Sequence, residues 1–117
     1  MRNDKENVIV KLSFGFALQI IEFTETLENN RKYVIARQLL KSGTSIGANI
    51  REAQNAESKA DFIHKLKISA KEADETEYWL LLCQSSKNYP FDESLLINLK
   101  EIIKVLSKII ATSKNNS

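Results

Sequence analysis

The chain has one cysteine, one proline, one histidine and three glycines in 117 residues. Each scarcity excludes something. With Cys83 alone there is no intrachain disulfide and no thiolate metal cluster, and a lone thiol on an apolar stretch fits a reducing compartment. So little proline and glycine argues against a turn-rich β fold and against disorder. Long hydrophobic runs are missing too: "YWLLLC", residues 78–83, is far short of the roughly 20 apolar residues a membrane helix needs. The start, "MRNDKENVIV", lacks the apolar core and small-residue cleavage site of a secretory leader, so a cytoplasmic protein with no membrane partner is expected. Neither charge sign dominates: 17 Lys and Arg against 15 Asp and Glu leave a net charge of +2. That balance permits a nucleic-acid partner without announcing one.

What is present is helical periodicity. Leu12, Phe16, Ile20, Phe23 and Leu27 recur at steps of three and four, flanked by Phe14, Ala17, Ile21 and Thr24, and predict a helix over about 8–28. "ENNRK" breaks it, with Asn30 expected to cap the next helix, about 31–55. There Ile35, Leu39, Ile46, Ile50 and Ala53 share an arc with Ala36, Leu40, Gly43 and Gly47. Ser58 followed by Asp61 and Phe62 resembles a capping box and opens a third helix over about 59–87. Its stripe runs Phe62, Leu66, Ser69, Ala73, Thr76, Leu80, Cys83, with small residues in the middle. Pro90 forces a stop, Asp92 or Ser94 caps a fourth helix over about 92–112, and "SKNNS" is expected to fray. Leu95, Leu99, Ile102, Leu106 and Ile109 form its main line, with Leu96, Ile103 and Ile110 beside it.

Helices of this length with short joints predict an all-α fold in one domain, 1–117: an up-down-up-down antiparallel four-helix bundle. The apolar arcs are wide for an isolated bundle, and Tyr78 to Leu82 are consecutive, so a homo-oligomer is expected.

The stretch "KSGTSIGANI", residues 41–50, is unusual inside a helix, because each interior glycine costs about 1 kcal/mol relative to alanine. A phosphate-binding loop is excluded, since no buried strand precedes it and no Gly-Lys-Ser/Thr opens a helix. Small residues on a core arc instead let two helices approach closely. A bulky aromatic (Phe14, Phe16, Phe62, Tyr78 or Trp79) is the expected partner. Ser42, Ser45, Asn49 and Glu52 form a polar line along the edge of that arc, expected to tie helices or subunits together.

Catalytic chemistry is poorly supplied. His64 shares a face with Glu57 and Asp61, but no second histidine accompanies it, and a solvent-facing role is expected. "KEADETE" gathers Glu72, Asp74, Glu75 and Glu77, which with Lys67 and Lys71 predict surface ion pairs and not a metal or acid–base site. No enzyme, cofactor, metal or small-molecule substrate is expected. Two basic lines remain, Arg37, Lys41 and Arg51 on the second helix and Lys100, Lys104 and Lys108 on the fourth. Repeated around a ring of identical subunits, either would make a belt that attracts phosphates.

"QLLKSGTSIGANIREAQNAESKADFIHKLKISAKEADETEYWLLL", residues 38–82, resembles the four-helix-bundle proteins first noticed as reading frames in intervening sequences of bacterial 23S ribosomal RNA genes. The matching pieces are "LLKSGTSIGANIREA", the helix start from Ser58 to Phe62, and "KEADETEYWL". More distantly, the chain is similar to the accessory subunit of diversity-generating retroelements, a basic protein that works with a reverse transcriptase and nucleic acid. The resemblance implies a homopentamer of left-handed bundles with no established enzymatic activity. It gives Ser45, Ile46, Asn49, Ile50 and Glu52 a packing or assembly role, beside Gly43 and Gly47, which the periodicity already places at a close helix contact. The functions it leaves in competition are an adaptor for structured RNA or a nucleoprotein and a protein–protein scaffold.

Overall fold

The computed structural model describes residues 7–115, and these form four α-helices with no strand among them. The helices are α1 (Val8–Asn29), α2 (Tyr33–Ala53), α3 (Lys59–Ser85) and α4 (Glu93–Asn115). Residues 1–6, on which part of the leader argument rests, and 116–117 lie outside the described residues. Residues 113–115, expected to fray, instead complete the last turn of α4.

Local chemistry sets the boundaries. Asn7 caps α1, its Oδ1 accepting from the Val10 amide at 3.4 Å, while its Nδ2 donates to Gln54 Oε1 at 2.5 Å. That second bond ties the start of α1 to the α2–α3 joint. Asn30 caps nothing downstream, contrary to expectation; it is the C-cap that follows α1, its side-chain amide donating to the Thr26 carbonyl at 2.8 Å. Arg31 takes a left-handed φ of 62°, its amide donates to the Glu28 carbonyl at 2.9 Å, and the Lys32 amide reaches Leu27 at 2.8 Å. This paired closure satisfies carbonyls that would otherwise be orphaned at the helix end, with arginine where glycine is the usual choice. Helix α2 then begins after Lys32 without a side-chain cap.

Ser58 does cap α3, accepting from the Asp61 amide at 3.0 Å. The reciprocal arm goes one residue further back, from the Glu57 amide to Asp61 Oδ2 at 3.4 Å. Asp92 opens α4 by accepting from the Ser94 amide at 3.0 Å and its hydroxyl at 2.7 Å.

Packing follows the stripes. Helix α1 lies against α2 and α4, and α3 lies against the same two, while α1 and α3, like α2 and α4, stand across the diagonal without close backbone approach among the described residues. Four helices thus stand at the corners of a square prism 49 Å long and about 20 Å across. Its axis is filled by Phe16, Ile20, Leu39, Ile46, Ile50, Leu66, Leu80, Leu95, Leu99, Ile102 and Leu106, all at or below 1% exposure. Burying each such side chain contributes roughly 1.5–3 kcal/mol, offset by the chain entropy of ordering it. The expected arcs were too broad in places. Phe14, Ile21 and Leu40 face outward, because a helix in a square arrangement meets only two neighbours and leaves its far side uncovered.

Candidate assembly seam and basic surfaces

The stretch 41–50 lies wholly within α2 and serves two neighbours at once. Toward α1 it presents its glycines. A Cβ placed on Gly43 would stand 2.9 Å from Ile20 Cγ1 and 3.0 Å from Ile20 Cγ2. One on Gly47 would stand 3.3 Å from both the carbonyl oxygen and the hydroxyl of Ser13. The close approach is real at both positions, but the partners are an isoleucine side chain and a serine backbone, not an aromatic ring. Gly43 is buried, whereas Gly47 is only half-buried and opens onto a shallow groove between α1 and α2.

Toward α3 the same stretch presents oxygen. Thr76 Oγ1 lies 2.9 Å from Ser42 Oγ and 2.7 Å from the Glu72 carbonyl. A threonine hydroxyl has one proton to give. With it donated to Glu72, the Ser42 hydroxyl supplies the proton for the Ser42–Thr76 bond. One turn along, the Ser69 hydroxyl donates to the Ile46 carbonyl at 2.8 Å. At the end of the seam Lys65 Nζ meets Glu52 Oε1 at 3.1 Å. Among the described residues, no buried side-chain polar atom is left without a partner.

The expected polar line therefore divides. Ser42 and Glu52 cross to α3. Ser45 and Asn49 bond within α2, the Ser45 hydroxyl to the Lys41 carbonyl at 2.6 Å and the Asn49 amide to the Ser45 carbonyl at 2.9 Å. Ile46 and Ile50 are fully enclosed in the core of this one chain. Sequence reasoning placed Ser69 and Thr76 in the α3 stripe as small residues but did not identify them as the hydrogen-bond partners of α2. The signal was their hydroxyls on a core face, where an unpaired hydroxyl is costly.

The other candidate chemistry stays apart. His64 is exposed. Of the acidic run, Glu75 accepts from Trp79 Nε1 at 3.0 Å, and the expected pairs of Lys67 and Lys71 with Glu75 do not form among the described residues. Nor does any group of three or more His, Cys, Asp or Glu among those residues stand close enough to hold a metal ion. Cys83 is buried, and desolvation pushes its thiol up to about 11, so it stays protonated and unreactive near neutral pH.

The basic lines are both solvent-exposed. Arg37 and Lys41 lie on the outer side of α2, but Arg51 borders the α1–α2 groove beside Val10, Phe14 and Ala48 and is not set opposite the apolar side. Lys100, Lys104 and Lys108 run along α4. On α1, Phe14, Leu18 and Ile21 form an outward apolar stripe, 59%, 50% and 41% exposed. None of the four helices is long and apolar enough to cross a membrane, among the described residues.

The chain as a whole is similar to known proteins. A crystal structure from Bacteroides thetaiotaomicron VPI-5482, of a protein of unknown function from the S23 ribosomal protein family, is similar at a TM-score of 0.81 with 48% sequence identity. The match covers 88% of this chain and 98% of that one. No curated protein matches the chain. The sequence profile of the 23S rRNA-intervening sequence proteins matches residues 5–112, almost the whole length, and the chain belongs to that family.

Proposed function

We propose that this protein is a non-catalytic, cytoplasmic, oligomeric adaptor that binds structured RNA or a nucleoprotein through its basic helix surfaces. The observation that carries this reading is the exposed line Lys100, Lys104, Lys108 on α4, beyond which no acidic residue follows Glu101. Uncompensated lysines at one-turn spacing match the electrostatic needs of a phosphate backbone, which is bound chiefly through release of its counterions. The helices run up-down-up-down. In support, Gly43 meets Ile20 and Gly47 meets Ser13, so position rises along α2 as it falls along α1. The pairs Ser42 with Thr76, Ile46 with Ser69 and Glu52 with Lys65 support the same opposed order between α2 and α3. The bundles assemble as a homopentamer, a reading supported by the uncovered stripe Phe14, Leu18, Ile21.

The test is binding of a structured RNA across a salt series, with the Lys100→Glu/Lys104→Glu/Lys108→Glu variant beside the wild type. Affinity should fall steeply with salt and drop in the variant. Absent or salt-insensitive binding by the wild type sinks the RNA reading.

A scaffold that gathers protein partners is the second reading, and the α1 stripe favours it, since contiguous exposed apolar surface commonly marks a protein contact. Isolation from the native host with a protein partner and no nuclease-sensitive material would decide for it.

A further inference from the structure

Two exposed apolar patches of this chain complement each other in shape and in charge. The first is the groove between α1 and α2, about 200 Å³ in volume and lined by Phe14 and Ala17 of α1 and by Thr44, Gly47, Ala48 and Arg51 of α2. Its surroundings on α2 carry one sign of charge. From Arg31 to Arg51 the chain has five cations and no acid. Arg37, Lys41 and Arg51 fall at steps of three and four with Thr44 and Ala48, on one arc of the helix.

The second patch is on the outer side of α3, where Tyr78 is 57% and Leu81 43% exposed. The Tyr78 ring stands edge-on to Trp79 at 5.3 Å, and the Trp79 indole donates to Glu75 at 3.0 Å, so the tyrosine projects from a held base. Here the sign is reversed. From Glu72 to Ser86 there are four acids, Glu72, Asp74, Glu75 and Glu77, and no cation. Other exposed apolar side chains make poorer partners for the groove. Tyr33 and Val34 lie among Arg31, Lys32 and Arg37, which share the groove's own sign, and Ile97 is a lone aliphatic residue between Glu93 and Lys100.

We propose that the chain is its own partner, head to tail: Tyr78 and Leu81 of one copy dock in the α1–α2 groove of the next. This rests on the oligomeric part of the function proposed above and names the two surfaces that meet.

An apolar cavity of about 150 Å³ admits a benzene ring, so the groove has room for a phenol. Tyrosine also suits its chemistry. The ring covers Phe14 and Ala17, and the phenol proton has an acceptor in Thr44, whose hydroxyl gives its own proton to the Leu40 carbonyl at 2.7 Å and keeps its lone pairs. Asp74 and Glu77 then approach Lys41 and Arg51. Groove against groove would instead bring two cationic faces together, which repel. Groove and tyrosine lie on different sides of the same bundle, so engaging one leaves the other free. Such a contact propagates into a ring or a filament and does not stop at a pair.

The test uses the full-length protein with one surface blocked at a time. Tyr78→Lys removes the ring and reverses its charge setting, while Ala48→Glu places an acid in the groove. Leu81→Lys and Arg51→Glu are a second such pair. All four positions are exposed, and unchanged helical circular dichroism shows each variant folded. In sedimentation equilibrium the wild type should be an oligomer, and each variant alone should shift to the mass of one chain, 13.3 kDa. Mixed in equal amounts, Tyr78→Lys and Ala48→Glu should form a two-chain species and nothing larger, because each such pair holds one intact groove and one intact Tyr78. Variants that stay oligomeric beside an oligomeric wild type, or a mixture that stays at the mass of one chain, would overturn the docking and leave the oligomeric reading standing. A wild type found only as single chains would overturn both and leave the groove to another polypeptide.

Discussion

Helix α2 closes against its two neighbours by opposite means. Its seam with α1 works by omission: Gly43 and Gly47 give up their side chains so that Ile20 and the Ser13 backbone can come in. Its seam with α3 works by addition, with the Ser42–Thr76 bond, the Ser69 bond to the Ile46 carbonyl and the Glu52–Lys65 pair. One short run of small residues does both because successive positions on a helix point about 100° apart. The difference teaches that small size alone does not define a contact. A glycine specifies distance and tolerates whatever fits; a buried hydroxyl specifies a partner, because leaving it unpaired costs about 1–3 kcal/mol.

Breaking the omission should have the largest effect. Gly43→Leu must displace Ile20 and should lower unfolding stability by about 3 kcal/mol, the upper end of ordinary overpacking. Urea denaturation would measure it, and adding Ile20→Ala should return part of the loss. A Gly43→Leu protein as stable as wild type would mean that α1 and α2 do not approach as described. Breaking the addition comes next. Thr76→Val keeps the shape but strands the Ser42 hydroxyl, and a loss of about 2 kcal/mol is expected. The Ser42→Ala/Thr76→Val pair should recover most of it, and a double-mutant cycle showing no coupling would count against the bond.

Two glycine-to-alanine changes sharpen the contrast from the other side. At Gly15 an added Cβ meets nothing within 4 Å. Gly15→Ala should therefore show the bare helix preference and raise stability by about 1 kcal/mol. At Gly47 the same gain is set against a Cβ pressed to 3.3 Å from the Ser13 backbone, which cannot swing aside as a side chain can. Gly47→Ala should fall within about 0.5 kcal/mol of wild type, the smallest effect of the series. Equal stabilisation at the two sites, read from thermal melts, would show that Gly47 is not in a tight contact.

Much of this arrangement was legible before any coordinates. The stripe from Leu66 through Ser69, Ala73, Thr76 and Leu80 to Cys83 is the buried face of α3, and Ser58 and Asp92 start their helices as their side chains suggest. The basic lines on α2 and α4 were legible as lines, yet the position of Arg51 beside an apolar groove was not. Asn30 misled because asparagine ends helices as well as beginning them, and the choice rested on Arg31 accepting a left-handed backbone that its own side chain disfavours.

The sequence by itself determined the helices, their caps at Ser58 and Asp92, and which arc of each turns inward, because these follow from periodicity and from side chains bonding their own backbone within a few residues. Tertiary structure decided who stands opposite whom. Gly43 received Ile20 and not an aromatic ring, Thr76 found Ser42, and Phe14 was left facing water. A periodic pattern fixes the direction a side chain takes around its own axis, but the neighbour it meets depends on the rotation and offset of a second helix, which local chemistry does not encode.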